Sequence, residues 1–202
     1  MARTGRPRTF IESDVIATAT DVFWQHGYAA TSMQRLGERA GLLPGSLHAA
    51  FGDKHTLFLR ALDHYTQGQR DFGASLHAPG PVLPRLRQMM HGIAAGAATA
   101  HPRGCMLGNT ATEQPDDTTA AAIVRDAFAE LETNVAHALE RAQDEGEVTP
   151  RIDARTYARV LIALMQGLHV LARVEPDPEP LQAAVDAALA PLAATWPTRR
   201  YS

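Results

Sequence analysis

A single lysine, Lys54, stands among the 19 Lys and Arg residues of this 202-residue chain. The residues that precede it have the types and spacing to hydrogen-bond a polyanion. Thr31 and Ser32 set hydroxyls beside the unpaired N–H groups of a helix start, an arrangement that takes up phosphate, although helix capping alone is reason enough for Thr31. Gln34 and Arg35 follow within one turn and are long enough to reach base edges. Pro44, Gly45, Ser46 and His48 lie on a second short segment, and Lys54 opens a third. Upstream stand Arg6 and Arg8, ahead of the first helix pattern. Such a set recognises a charged partner and makes no covalent bonds.

These side chains need a scaffold, and helical spacing supplies one. Between Gly27 and Lys54 two short helix patterns meet at a tight turn, the pattern of a helix-turn-helix, which lays its second helix in the major groove of DNA. Thr9 with Glu12 reads as a capping box for a first helix lined by Val15, Ile16, Ala19, Val22 and Phe23 and ended by Gly27. Thr31 with Gln34 reads as a second box, for a helix that points Met33, Leu36 and Ala40 inward and ends at Gly41. Pro44 fits the first position of a third helix that stops at Gly52. Asp53 caps a longer fourth, with Leu57, Phe58, Ala61, Leu62, Tyr65 and Phe72 at helical spacing.

The pattern stays helical beyond this module. A fifth helix begins near Leu83 and ends before His101-Pro102, a short segment spans Gly104–Glu113, and a long helix covers Thr118–Glu145. Asp153–Arg173 and Leu181–Trp196 complete an all-α fold of about nine helices with no strand alternation. The division expected is 1–53 for the arm and helix-turn-helix module, and 54–202 for a helical bundle with ligand-binding and dimerisation roles. The last two helices are apolar on more than one face, and burying the second face calls for another copy of the chain, so a homodimer is expected.

Composition narrows the classes. With 45% hydrophobic and 20% charged residues the chain is ordinary globular material. Residues 1–60 carry seven basic and five acidic side chains, a net of +2, and the remainder carries −5, which together make the formal −3. A slightly basic front on an acidic body suits a small DNA-reading module, though chance produces asymmetries of this size. No apolar run follows the N-terminal arginines, and the stretch from Val160 to Ala172 is too short for a span, so neither a secretory leader nor a membrane helix is expected. The single Cys105 cannot form an internal disulfide, in keeping with a cytoplasmic location. There is no Gly-x-Ser-x-Gly elbow, phosphate loop or paired-cysteine metal motif. His91, His101 and Cys105, the nearest approach to a metal set, are split by Pro102, and the chain is expected to be neither an enzyme nor a holder of metal or cofactor.

Phe23, Gly27-Tyr28, Thr31-Ser32, Leu36, Ala40-Gly41, Gly45-Ser46-Leu47, Phe51, Lys54 and Leu57 together resemble the TetR family of one-component transcriptional regulators. The likeness is motif-level over residues 10 to 65 and architectural over the rest. Gly104-Cys105-Met106-Leu107-Gly108-Asn109, followed by Glu113, is similar to a segment of one branch of that family. The resemblance implies a repressor that binds double-stranded operator DNA and is released by a small-molecule effector. It also implies that Lys54 contacts phosphate, that Arg6 and Arg8 form a basic arm for the backbone or the minor groove, with a plain terminal tail as the equal alternative, and that His48 takes the place of a phosphate-contacting tyrosine, donating one hydrogen bond with a pH dependence of its own. With Leu43, Pro44, Gly45 and Ala49 offering few donors, base readout is expected to lean on thymine methyls and on Gln34 and Arg35. Met89, Met90, His91, Cys105, Met106, Asn109, His137, Gln166 and His169 are the candidate effector-lining residues. Cys105 beside Arg103 is either a sensor of electrophiles or an inert buried thiol. A helical carrier without specific DNA binding is the alternative, because the rear two-thirds alone would look the same.

Overall fold

The computed structural model describes residues 10–96, 103–175 and 177–194. Among them are nine α-helices: α1 (Glu12–His26), α2 (Met33–Ala40), α3 (Pro44–Phe51), α4 (Lys54–Ser75), α5 (Leu83–Ala95), α6 (Met106–Glu113), α7 (Thr118–Asp144), α8 (Ala154–Leu171) and α9 (Glu179–Leu189). The described residues contain no strand beyond an isolated antiparallel bridge between Val148 and Ala193. The all-α expectation holds. No helix among them is long and apolar enough to cross a membrane.

Several caps fall where the sequence placed them. Asp53 accepts from the Thr56 amide at 2.7 Å, Pro44 occupies the first turn of α3, and Gly27, Gly41, Gly52 and Gly146 have positive φ. The Thr31–Gln34 capping box does not form. Ser32 caps α2 instead, its hydroxyl accepting from the Arg35 amide at 3.2 Å. Thr31 is buried and donates back to the Gly27 carbonyl at 2.7 Å, while Gln34 turns outward to Glu38. Either hydroxyl has a partner three residues on; burial decides between them, because a buried hydroxyl needs a partner within the fold and the Gly27 carbonyl supplies it.

The first helix also starts differently. Thr9, like Arg6 and Arg8, lies outside the described residues. Ile11 precedes α1 without a side-chain cap, and Glu12 pairs with Arg60 of α4. At the other end α9 stops at Leu189 rather than continuing toward Trp196, because Pro191 falls within a short 3-10 turn at Ala190–Leu192. Proline cannot donate to a helix ladder and clashes with the preceding turn.

Two apolar clusters hold the helices together. One joins α5, α7, α8 and α9 through residues such as Met90, Leu139, Leu161, Leu168 and Val185. The other lies beneath α1 to α4 and includes Phe23, Leu36, Leu47, Phe51, Leu57 and Phe58. This second cluster is not confined to the front helices. Cys105, Met106 and Leu107 of the α6 segment and Ala120, Val124 and Ala127 of α7 belong to it, and the partly buried Phe128 touches both clusters. A front module of about 50 residues buries too small a fraction of its surface to be robust alone, and the continuation into α6 and α7 enlarges that core.

Candidate nucleic-acid interface

The geometry of α3 follows from its apolar spacing. Leu47 and Phe51, four residues apart, are 0% and 3% exposed and fix one face of the helix against α1, α2 and α4. Burial of each contributes about 1.5–3 kcal/mol. The opposite face is then forced outward: Pro44, Gly45, Ser46, His48 and Ala49 are all exposed. The turn leading into α3 is held short by Gly37, where a Cβ would lie 2.7 Å from the Leu42 carbonyl oxygen, and by the Leu42 amide, which donates to Gly37 at 2.9 Å. Gly37 carries no positive φ, and its need for a hydrogen side chain is a matter of close approach, which spacing in the sequence does not reveal.

Around this rod stand the other candidate residues. Ser32, Gln34 and Arg35 are exposed at the start of α2, and Arg35 reaches back to the Ala30 carbonyl at 3.2 Å. Lys54 sits at the first turn of α4, half-buried. Its Nζ donates to the Tyr28 carbonyl at 3.1 Å and lies 4.1 Å from the centre of the Tyr28 ring. An ammonium has three donors, so a phosphate can still share it, but the position of the charge is set by Tyr28.

His48 differs from the donor the sequence led us to expect. Its Nδ1 lies 3.0 Å from the Gly52 carbonyl oxygen. A carbonyl oxygen accepts only, so Nδ1 carries the hydrogen, and in the neutral ring Nε2 is left with a lone pair. The donor is spent inside the protein.

Tyr28 also ties the front module to the rest of the chain. Its amide donates to the Glu113 carboxylate at the end of α6 at 2.9 Å. That carboxylate lies directly against Gly27, whose φ of 78° and ψ of 173° place the chain where glycine alone is at ease. Beside it, Arg103 pairs with Asp21 at 2.7 Å and covers the Trp24 ring, and the Trp24 indole donates to the Gly104 carbonyl at 2.9 Å. His55 of α4 meets Asp117, the cap of α7, at 2.7 Å. The α6 end thus grips α1 and the α1–α2 turn. Glu113 was visible in the sequence only as part of a matching string; its role depends on a contact 85 residues away in sequence.

The candidate effector residues divide. Cys105, Met106, Asn109, Gln166 and His169 gather around α6 and α8. Cys105 and Met106 are buried, and the Tyr65 hydroxyl approaches the Cys105 sulfur at 3.9 Å, with burial, then the neighbouring thiol, pushing the phenol's pKa up. Asn109 donates to the Arg103 carbonyl at 3.0 Å and accepts from Arg173 at 3.3 Å. A Cβ on Gly108 would lie 2.6 Å from Gln166 Oε1, and Gln166 Nε2 is buried without a hydrogen-bond partner among the described residues. Burial lowers the pKa of His169. The others stand apart. Met89 and Met90 pack in the rear cluster, and His91 meets Asp186 of α9 at 3.2 Å, a carboxylate shared with Arg87. His137 is exposed on α7, because Val135, Ala136, Ala138 and Leu139 on either side occupy the inward positions. His101 lies outside the described residues, and among those described no group of His, Cys, Asp and Glu could hold a metal ion.

Comparison with known proteins gives a consistent picture. Residues 15–61 match the family model described as bacterial regulatory proteins, tetR family, and residues 82–188 match that of the tetracyclin repressor-like C-terminal domain. The chain is 33% identical over 192 residues to the HTH-type transcriptional regulator YezE of Bacillus subtilis (strain 168), spanning 93% of this chain and 99% of that one. It is 31% identical over 173 residues to the HTH-type transcriptional repressor ComR of Escherichia coli (strain K12), covering 84% and 82% of the two. Among solved structures, a cysteine mutant of the TetR family regulator CifR bound to 26-bp double-strand operator DNA superposes with a TM-score of 0.78 at 28% identity, over 96% of this chain and 100% of that chain. Reduced NemR from E. coli, at 19% identity and a TM-score of 0.80, shares the fold.

Proposed function

This chain belongs to the TetR family of bacterial regulatory proteins and is a DNA-binding transcriptional regulator, and from that premise we propose that it is a repressor that holds a palindromic operator as a homodimer until a small-molecule effector releases it. The observation that carries the reading is the outward face of α3, which offers Pro44, Gly45, Ser46 and His48 to a partner, with Ser32 and Lys54 flanking it. A solvent-facing helix of eight residues braced from behind fits a major groove. Thr31, which caps nothing, acts by holding the α1–α2 turn.

Dimerisation falls to the rear helices. Val160, Val170, Leu171 and Val174, on or just after α8, are exposed, and large apolar groups this close together are best covered by a second copy. A two-fold pair would carry two α3 rods toward adjacent grooves, so that their spacing governs affinity. The effector acts on that spacing through α6, whose Glu113 holds the Tyr28 amide while the Tyr28 carbonyl holds Lys54. Cys105, Met106, Asn109, Gln166 and His169, gathered around that helix, are the residues on which it would bear. The protein works in the cytoplasm without catalysis, metal or cofactor.

The test is binding of the purified protein to the DNA upstream of its own gene. Lys54→Ala is expected to weaken binding to all sequences and to lower the slope of log affinity against log salt by about one unit. Absence of salt-sensitive specific binding by the unmodified protein would overturn the reading. Light scattering that finds a monomer at micromolar concentration would overturn the dimer.

A further inference from the structure

Building on the placement of α3 in the major groove, we infer that His48 is a base-reading residue: in its neutral form it accepts a hydrogen bond at Nε2 from the exocyclic amine of a cytosine or an adenine. The argument begins with the Gly52 carbonyl. His48 and Gly52 are bonded twice, the Gly52 amide donating to the His48 carbonyl at 2.9 Å and the His48 ring donating through Nδ1 to the Gly52 carbonyl at 3.0 Å. Gly52 has a φ of 77°, and it is this turn of the chain out of α3 that swings its carbonyl to the ring. The double link fixes both the orientation of the imidazole and its tautomer. Among the described residues Nε2, with its lone pair, is left as the ring's free polar atom.

A lone pair facing DNA discriminates among partners. Phosphate oxygens and the guanine N7 and O6 atoms are acceptors and repel it, whereas cytosine N4 and adenine N6 are donors displayed in the major groove. Pro44, Gly45 and Ala49 bring no side-chain hydrogen-bonding group to the same outward face, so its polar information is left to His48 and the shorter Ser46 hydroxyl. The charged groups around it do not occupy the ring. On α2, Arg35 binds the Ala30 carbonyl, Glu38 binds Gln34, and Arg39 points to solvent. At the start of α4, Asp53 caps the helix, Lys54 binds Tyr28 and His55 binds Asp117; Arg60, paired with Glu12, lies over the Phe51 ring.

Protonation reverses the rule. With a second proton on the ring Nε2 becomes a donor that suits guanine or phosphate, so the preference is expected to depend on pH. The experiment is a scan of every operator position, using a duplex selected with the unmodified protein, for that protein and for His48→Ala and His48→Gln, at pH 8 and at pH 5.5. At pH 8 one position in each half-site should prefer cytosine or adenine by about three- to tenfold, the worth of one net hydrogen bond. His48→Ala should abolish that preference and leave the other positions intact. At pH 5.5 the unmodified protein should lose it or turn toward guanine, while His48→Gln should keep one profile at both pH values.

A uniform loss of affinity in His48→Ala, with the salt slope reduced by about one and the base profile unchanged, would mean a phosphate contact and overturn the proposal. An unaltered profile and affinity would overturn it equally. Failure of the unmodified protein to select any duplex would instead remove the reading on which the proposal stands.

Discussion

Gly45 offers a test in which stability and function move in opposite directions. The residue lies in the first turn of α3 with an ordinary negative φ, and a Cβ built on it meets nothing within 4 Å. The folded chain thus gives no reason for glycine here. Replacing it with alanine at a compatible position restricts the unfolded chain and stabilises by about 0.4–1 kcal/mol. For a protein of this length that raises Tm by about 1–4 °C. A helix that must approach DNA closely does have a reason to omit the side chain, since a methyl group inserted into a fitted contact costs about 1–3 kcal/mol. Operator affinity should accordingly fall by about five- to 150-fold. Scanning calorimetry and fluorescence anisotropy on Gly45→Ala measure the two effects separately. An alanine variant with raised Tm and undiminished affinity would refute the idea that α3 approaches its partner along this side; a lowered Tm would show that the space around Gly45 is not open.

Three further outcomes are expected. Gly27→Ala should destabilise by about 1–3 kcal/mol in thermal unfolding, because the new Cβ enters a glycine-only conformation and strikes the Glu113 carboxylate. Ser32→Ala should cost about 1 kcal/mol through loss of the α2 cap, whereas Gln34→Ala, measured alongside by chemical denaturation, should cost within about 0.5 kcal/mol of nothing. The third concerns acid. His169 has its pKa lowered by burial, so the unfolded chain binds the proton more readily and stability falls as pH drops from about 6.5 toward the folded-state value. His169→Gln should flatten that part of the profile in unfolding experiments at pH 7.5 and pH 5.5.

The contrast between the sequence and the fold is clearest at particular residues. The helix pattern, the glycine stops and the Asp53 cap could all be read from spacing, because a 3.6-residue period and short-range hydrogen bonds are local properties. Leu47 and Phe51, four residues apart, share one side of α3 by the same arithmetic, and their burial shows which side is inward. Where two local solutions competed, spacing could not choose. Thr31 and Ser32 each have a hydroxyl at a helix start, and only the burial of Thr31 against the Gly27 carbonyl assigns the cap to Ser32.

What the chain determined by itself, then, was its helices and the turn between them. Contacts across long separations were decided by tertiary structure. Glu113 reaching the Tyr28 amide, the Tyr28 carbonyl and ring fixing Lys54, and the gathering of Cys105, Asn109 and Gln166 apart from His91 and His137 depend on which helix faces pack together. Even His48, exposed on α3, had its chemistry settled by a carbonyl beyond the end of its own helix. Periodicity says which way a side chain leans; the proton it has left to give depends on the acceptor it meets.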